Sequence, residues 1–229
     1  AEQYEAQIKA QDIRNEQQKM EFKMLSSQIN PHFLYNTLET IRMKALTSGD
    51  TEVANAICLL GKSMRYVLEN TGNKDTTLAK ELEHLKVYLE IQELRFGDRL
   101  DYMINIQEGL LPENYRMMGL LLQPVAENAI IHGLADREEG GRVNIDVYST
   151  DNILCIDISD NGCGIEKEQL EALNSSLDSY GGESRTNSIG LYNINRRIRL
   201  SYGEDFGIRI ESVSGSWTKV SIILPLMID

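Results

Sequence analysis

The apolar residues of this chain change their spacing once, and the change divides it into two kinds of structure. Up to about residue 96 they recur at three- and four-residue intervals: Leu34, Leu38, Ile41 and Ala45, then Val53, Ile57, Leu60, Met64 and Val67, then Leu82, Leu85, Leu89 and Phe96. That spacing places each set on one face of a helix. From about residue 98 the interval falls to two, as in Val143, Ile145, Val147 and again Leu154, Ile156, Ile158. Alternate residues of a strand share one face of a sheet, so this part is built on strands. A helical region followed by an α+β layer is the expected fold, and 229 residues are enough to close a core in each part.

The first two helical sets are separated by Thr47-Ser48-Gly49-Asp50, which offers Gly for a C-cap and Asp or Thr for the next N-cap. They form an antiparallel hairpin. One hairpin has too few apolar layers to be stable, whereas two of them make a four-helix bundle, so a homodimer is expected. Ahead of the hairpin, residues 1–24 are rich in Gln, Glu, Lys and Ala, with only a thin apolar seam through Tyr4 and Ile8. They read as a polar helix paired in a coiled coil, arriving from another part of a longer protein. A polar linker over residues 70–77 leads to the third helix. Beyond it strands are predicted at 102–106, 143–148, 153–159, 206–212 and 218–224, with helices over 115–133, 166–177 and 191–202. A Gly/Ser/Asn-rich loop is predicted over 178–188. Mixed strands with few crossovers suggest a sheet covered on one face by helices.

Charge narrows the function. Lys and Arg total 23 against 35 Asp and Glu, a formal net charge of −12. Phosphate-rich partners would be repelled, which argues against nucleic acid and anionic membrane surfaces. No stretch approaches the roughly 20 apolar residues of a membrane span. The three cysteines, Cys58, Cys155 and Cys163, share no metal-like spacing and point to a reducing compartment.

Four stretches carry chemistry. In Gln28-Ile29-Asn30-Pro31-His32-Phe33-Leu34-Tyr35-Asn36 a proline bends the helix directly before His32, with Gln28 and Asn36 one turn either side. Neutral imidazole is a competent nucleophile toward phosphorus. In Leu122-Gln123-Pro124-Val125-Ala126-Glu127-Asn128-Ala129, followed by His132-Gly133, the oxygens of Glu127 and Asn128 suit a Mg²⁺ ion that keeps most of its waters. In Asp160-Asn161-Gly162-Cys163-Gly164 an acid ends an apolar strand and a glycine turn follows. Glycines permit close approach by a flat ligand, and the carboxylate of Asp160 can accept from an exocyclic amine such as that of adenine. Cys163 in this turn reads as a small packing residue. Lastly, Gly181-Gly182 through Ser188-Ile189-Gly190-Leu191 is a loop ending at a helix start, whose free N–H groups suit phosphate, with Arg185 in reach of a γ-phosphate. Each stretch alone is also compatible with ordinary packing or a solvated loop.

Their order and spacing on one chain resemble the LytS/YesM type of bacterial sensor histidine kinase, from about residue 24 onward and through Tyr88-Leu89-Glu90-Ile91-Gln92 and Arg95-Phe96-Gly97-Asp98-Arg99. The resemblance implies an ATP-binding domain of the gyrase/Hsp90/histidine kinase/MutL type behind a His-bearing dimerisation region. His32 would be the phosphoacceptor and Asn36 would position the incoming phosphate. Asn128 would hold Mg²⁺, with Glu127 and His132 beside the nucleotide. Asp160 would read adenine in a pocket shaped by Gly162 and Gly164, and Gly190 and Leu191 would open the phosphate-binding helix beneath a lid carrying Arg185. Residues 1–24 would transmit the signal, 25–96 would dimerise and accept phosphate, and 97–229 would bind ATP. The whole would be the cytoplasmic portion of a bacterial cell-membrane protein, held there by segments outside this chain. Its partner would be the receiver domain of a response regulator.

Some positions depart from relatives. Phe33 follows the acceptor histidine where many other histidine kinases carry an acid, which leaves Glu39 as a candidate base. Ile131 stands where a basic residue is common, leaving Arg185 or Arg137 to meet the phosphates, and Ser188 replaces a usual Gly. These departures keep open a degenerate nucleotide-binding scaffold. Pro124 occupies the place where hydrolytic superfamily members carry a water-activating Glu, which favours a kinase over an ATPase.

Overall fold

The computed structural model describes residues 31–70, 75–135, 137–178 and 189–227. The expected coiled-coil helix of 1–24 and most of the 178–188 loop, Arg185 and Ser188 included, lie outside the described residues. The chain divides into two compact units, Ala1–Lys74 and Asp75–Asp229.

In the first unit, α1 (Pro31–Thr47) and α2 (Thr51–Asn70) form the expected hairpin. Gly49 takes the left-handed conformation of the turn at φ 81°, and the Asp50 carboxylate caps α2 by accepting the Val53 N–H at 3.1 Å. Among the described residues of this unit only Ala45 and Ala54 are fully buried apolar side chains. Phe33 is 65% exposed, and Ile41, Met43, Leu46, Val53, Leu60 and Val67 also face solvent. The pair leaves most of its apolar stripe bare.

The second unit begins with β1 (Asp75–Thr77) and α3 (Leu78–Phe96). Thr77 caps α3, its hydroxyl accepting the Lys80 N–H. The expected linker is thus partly strand: β1 pairs antiparallel with β3 (Arg116–Met118). The compact units part between Lys74 and Asp75 rather than at 96/97, because Leu78, Leu82, Leu85, Tyr88 and Leu89 of α3 sit inside the core of the sheet domain.

That core lies against a five-stranded sheet in the order β2-β4-β5-β7-β6. The strands are β2 (Leu100–Ile106), β4 (Gly141–Thr150), β5 (Ile153–Asp160), β6 (Gly207–Val213) and β7 (Trp217–Pro225). β2 runs parallel to β4 and the other neighbours are antiparallel. Val143, Ile145 and Val147 pair across β4–β5 with Asp160, Ile158 and Ile156, so one face is apolar and buried. The alternation read from the sequence therefore sets the register. α4 (Leu122–Asn128), α5 (Lys167–Asp178) and α6 (Ile189–Tyr202) complete the layer. The edge strand β6 is closed to further pairing by two amides: Asn195 accepts the Ile208 N–H at 2.8 Å, and Asn174 donates to the Ile210 carbonyl at 3.2 Å.

The single helix expected over 115–133 is not formed. Its first part is β3 and a bend at Leu120, which has φ 60°. Pro124 explains the late start: inside a helix it would remove a hydrogen bond and clash with the carbonyl four residues back, but it is tolerated in a first turn. α4 then widens into a π-helical turn over Ala129–Gly133.

Candidate functional site

In the first unit, His32 is the second residue of α1 as described and is solvent-exposed. One turn on, the Asn36 amide nitrogen lies 3.3 Å from its Nδ1 and 3.4 Å from its Nε2. The amide thus flanks the imidazole as the four-residue spacing requires. Glu39 is engaged elsewhere: Arg42 donates to both its oxygens, at 2.8 and 2.6 Å. That hydrogen bond holds its carboxyl below the usual range, which makes it a poor base.

In the second unit, the turn after β5 and the end of the π-helical turn are interlocked. Asp160 is only 5% exposed, and one carboxylate oxygen accepts the Gly162 N–H at 2.9 Å. A Cβ on Gly133 would lie 2.4 Å from that carboxylate, and a Cβ on Gly162 would lie 1.9 Å from the Gly133 carbonyl oxygen. The same carbonyl accepts the Cys163 N–H at 2.9 Å. Gly164 has φ +66°, and a Cβ there would lie 2.1 Å from the Val213 carbonyl, so the turn is also seated on the β6–β7 hairpin. Burial pushes the Asp160 carboxyl up to about 6, opposed by the Gly162 N–H and the positive charge of Arg137. Thr218 pairs with Asp160 in the β5–β7 register and sits buried on the same face. Its hydroxyl lies 3.0 Å from that of Ser212.

This interlock predicts a test. Gly162→Ala must push the two loops apart, and overpacking of this kind lowers stability by about 1–3 kcal/mol. We expect a lower melting temperature together with weaker adenosine binding in a titration. An unchanged melt would show that the loops yield freely.

Asn128 ends α4, half-buried, with its amide nitrogen donating to the Pro124 carbonyl at 2.7 Å. Its oxygen takes no part in that hydrogen bond. An added Cβ on Gly190 would lie 3.7 Å from the Asn128 amide nitrogen, which brings the first turn of α6 beside it. Among the described residues no cluster of three or more His, Cys, Asp or Glu could hold a metal. A hard cation here would take one amide oxygen and depend on its remaining ligands, a donor set that fits Mg²⁺ bound to a nucleotide. Glu127 is exposed, and Leu191 is buried as a core anchor. The His132 side chain is exposed, while its carbonyl accepts the Cys163 thiol at 3.5 Å. Cys163 is exposed, not packed as expected, because the turn aims its backbone inward instead.

Several residues at the site were not singled out from sequence. Glu81 on α3 is 1% exposed and accepts the Leu120 and Leu121 N–H groups at 2.6 and 3.0 Å. Arg197 on α6 donates to the Gly119 carbonyl at 2.9 Å, and burial pulls its guanidinium below the usual range against the charge of Glu81. Both sit on apolar stripes, Glu81 beside Leu78, Leu82 and Leu85, and Arg197 beside Ile194 and Ile198. A charge on a buried stripe is the signal that would have found them. Thr218 carries no such local signal, and Gly133 was quoted in the His132-Gly133 stretch without a role of its own.

Two family models match the chain: "Histidine kinase" over residues 20–100, and "Histidine kinase-, DNA gyrase B-, and HSP90-like ATPase" over residues 114–228. It is 35% identical over 201 residues to the sensor histidine kinase YpdA of Escherichia coli, covering 88% of this chain and 34% of that protein. It is 35% identical over 219 residues to the sensor protein LytS of Oceanobacillus iheyensis, covering 95% of this chain and 36% of the relative. To the sensor histidine kinase YesM of Bacillus subtilis it is 34% identical over 208 residues, 90% of this chain and 33% of that one. The chain spans about a third of the length of these curated relatives. Among solved structures, histidine kinase ThkA in complex with the response regulator protein TrrA has a TM-score of 0.51 at 15% identity, covering 98% of this chain and 66% of that one. The separate catalytic domain of ThkA gives 0.50 at 16% identity, covering 69% of this chain and all of that one. These two likenesses bear on the fold.

Proposed function

The chain belongs to the histidine kinase family, within the LytS/YesM group of sensor kinases, and from that premise we propose that it phosphorylates itself on His32 with ATP and passes the phosphate to an Asp of a response regulator. The observation that carries the reading is the interlock of Gly133, Asp160 and Gly162, a carboxylate buried at the mouth of a glycine-walled turn.

Asp160 accepts a hydrogen bond from the adenine amine, and Gly162 and Gly164 shape the pocket by letting the turn pack closely against Gly133 and Val213. Gly190 and the N–H groups that open α6 face the phosphates, with Arg185 or Arg137 adding positive charge. Asn128 holds Mg²⁺, which neutralises charge on the phosphates when bound. A ring nitrogen of His32 attacks the γ-phosphorus, the bond from phosphorus to the β–γ bridging oxygen breaks, and ADP leaves with that electron pair. The imidazole gives up its proton, and Asn36 steadies the ring and the incoming phosphoryl group. Phosphoryl transfer of this kind needs positioning and charge neutralisation more than covalent help. The phosphohistidine then donates to a carboxylate oxygen of the regulator.

The bare apolar stripe of α1 and α2 supports a homodimer, in which two hairpins close a four-helix bundle. Among the described residues no helix is long and apolar enough to cross a membrane. We further propose that the protein is attached to the bacterial cell membrane, with this portion on the cytoplasmic side.

The balance of products tests the reading. With γ-labelled Mg-ATP, each ADP released should leave one acid-labile, alkali-stable phosphate on the protein. ADP without retained label would make it a hydrolase, and nucleotide binding with no turnover would make it a scaffold.

A further inference from the structure

Glu81 and Arg197 grip a bend that carries no ligand group of its own. The Glu81 carboxylate accepts the N–H of Leu120 at 2.6 Å, of Leu121 at 3.0 Å and of Leu122 at 3.3 Å. From the other side Arg197 donates to the carbonyls of Gly119, at 2.9 Å, and Leu120, at 3.3 Å. Leu120 sits at φ 60°, which a leucine rarely adopts, so these hydrogen bonds hold the bend against its own preference. Tyr202, also on α6, accepts the Met118 N–H at 2.9 Å and anchors the strand that enters the bend. The bend is the start of α4. Asn128 lies at the other end of that short helix, beside Gly190 on the same α6 that carries Arg197.

We propose that Glu81 and Arg197 are positioning residues for the metal–phosphate half of the nucleotide site. By fixing the start of α4 to α3 and α6, they hold Asn128 against the first turn of α6. The inference rests on the kinase reading above, which makes Asn128 the metal ligand. The adenine half has its own ties: at the far end of the π-helical turn the Gly133 carbonyl accepts the Cys163 N–H of the turn after β5, and Asp160 accepts the Gly162 N–H of the same turn. Loosening the clamp therefore moves one half of the site and leaves the other. A clamp that only supported the fold would affect both halves alike.

Adenosine and Mg-ADP separate the two. In Glu81→Gln an amide donor replaces one acceptor facing the α4 N–H groups, and in Arg197→Lys the two-pronged donor is lost. For either variant we expect Mg-ADP affinity to fall about tenfold or more, the usual scale for a residue that orients a metal ligand. Adenosine affinity should stay within about twofold, a difference of less than half a kcal/mol. Equal losses for both ligands would overturn the proposal, as would no loss for either. If Glu81→Gln does not fold by circular dichroism, Arg197→Lys decides by the same ratio; if neither folds, the clamp only supports the fold and the proposal is overturned. Labelling of the native chain, run alongside, reports on the kinase reading independently of the variant-to-native ratio.

Discussion

Asp160→Asn should abolish adenosine and ATP binding and leave the fold intact. The carboxylate is 5% exposed and already accepts the Gly162 N–H, so its free lone pairs are the acceptor left for an adenine amine. An amide of the same shape presents one oxygen and one NH₂ group. Whichever way it turns, a donor meets a donor, either at Gly162 or at adenine. Sites built around one such buried hydrogen bond reject the mismatched partner by about 10⁴-fold. Calorimetric titration measures the loss, and a thermal melt checks the fold. Unchanged adenosine affinity would sink the adenine assignment.

The same carboxylate gives a pH dependence of known sign. Burial raises its pKa to about 6, so the free protein takes up a proton there that a bound adenine amine must displace. Adenosine affinity should be flat above pH 6 and fall about tenfold for each unit below it. Adenosine is the better probe, because ATP phosphates titrate in the same range. Stability runs the other way. A raised carboxyl pKa means that the buried charge opposes folding fully above pH 6, and that the opposition is relieved as pH falls from about 6 toward the ordinary 3.8. Asp160→Asn should therefore melt no lower than the native chain at neutral pH, and the two curves should converge in acid.

The sheet was legible because each strand carries a local pattern. The β4–β5 hairpin needs only alternation on both sides of a short turn, and Val143 facing Asp160 follows from that pattern. The hairpin of α1 and α2 was legible for the same reason, with Gly49 and Asp50 marking its turn. The stretch over 115–133 misled because Met117, Met118, Leu120, Leu121 and Leu122 form an apolar run in which helix and strand look alike. Pro124 carried the correction, since a helix that contains it must begin just before it. β1 was missed because three polar residues have no period, and their partner lies at 116–118.

The site divides in the same way. Asp160, Gly162, Gly164 and Asn128 were singled out because their chemistry sits in short motifs. Gly133 acquires its meaning only from Asp160, a contact across 27 positions of chain that no local pattern encodes. Glu81 reaches Leu120 across 39 positions, yet an acid on the apolar stripe of α3 hinted at it. Arg185 was named for the lid, and its place lies outside the described residues.

The second large effect is expected at His32. It is exposed on α1, the Asn36 amide flanks its ring, and Glu39 is neutralised as a base by Arg42. An imidazole needs no strong base to attack phosphorus, because its own nitrogen lone pair is the nucleophile and its proton can leave to water. Gln keeps length and polarity without a nucleophilic nitrogen, and on an exposed helical surface it should cost well under about 1 kcal/mol of stability. The residues proposed to hold the nucleotide belong to the second unit, so the substitution should leave nucleotide affinity unchanged. The decisive measurement is therefore retained label from γ-labelled Mg-ATP on the native chain and on His32→Gln, each matched for Mg-ADP affinity. Acid-labile, alkali-stable label on the native chain and none on a variant that binds nucleotide equally well is the result the account predicts. Label that persists in His32→Gln would contradict it.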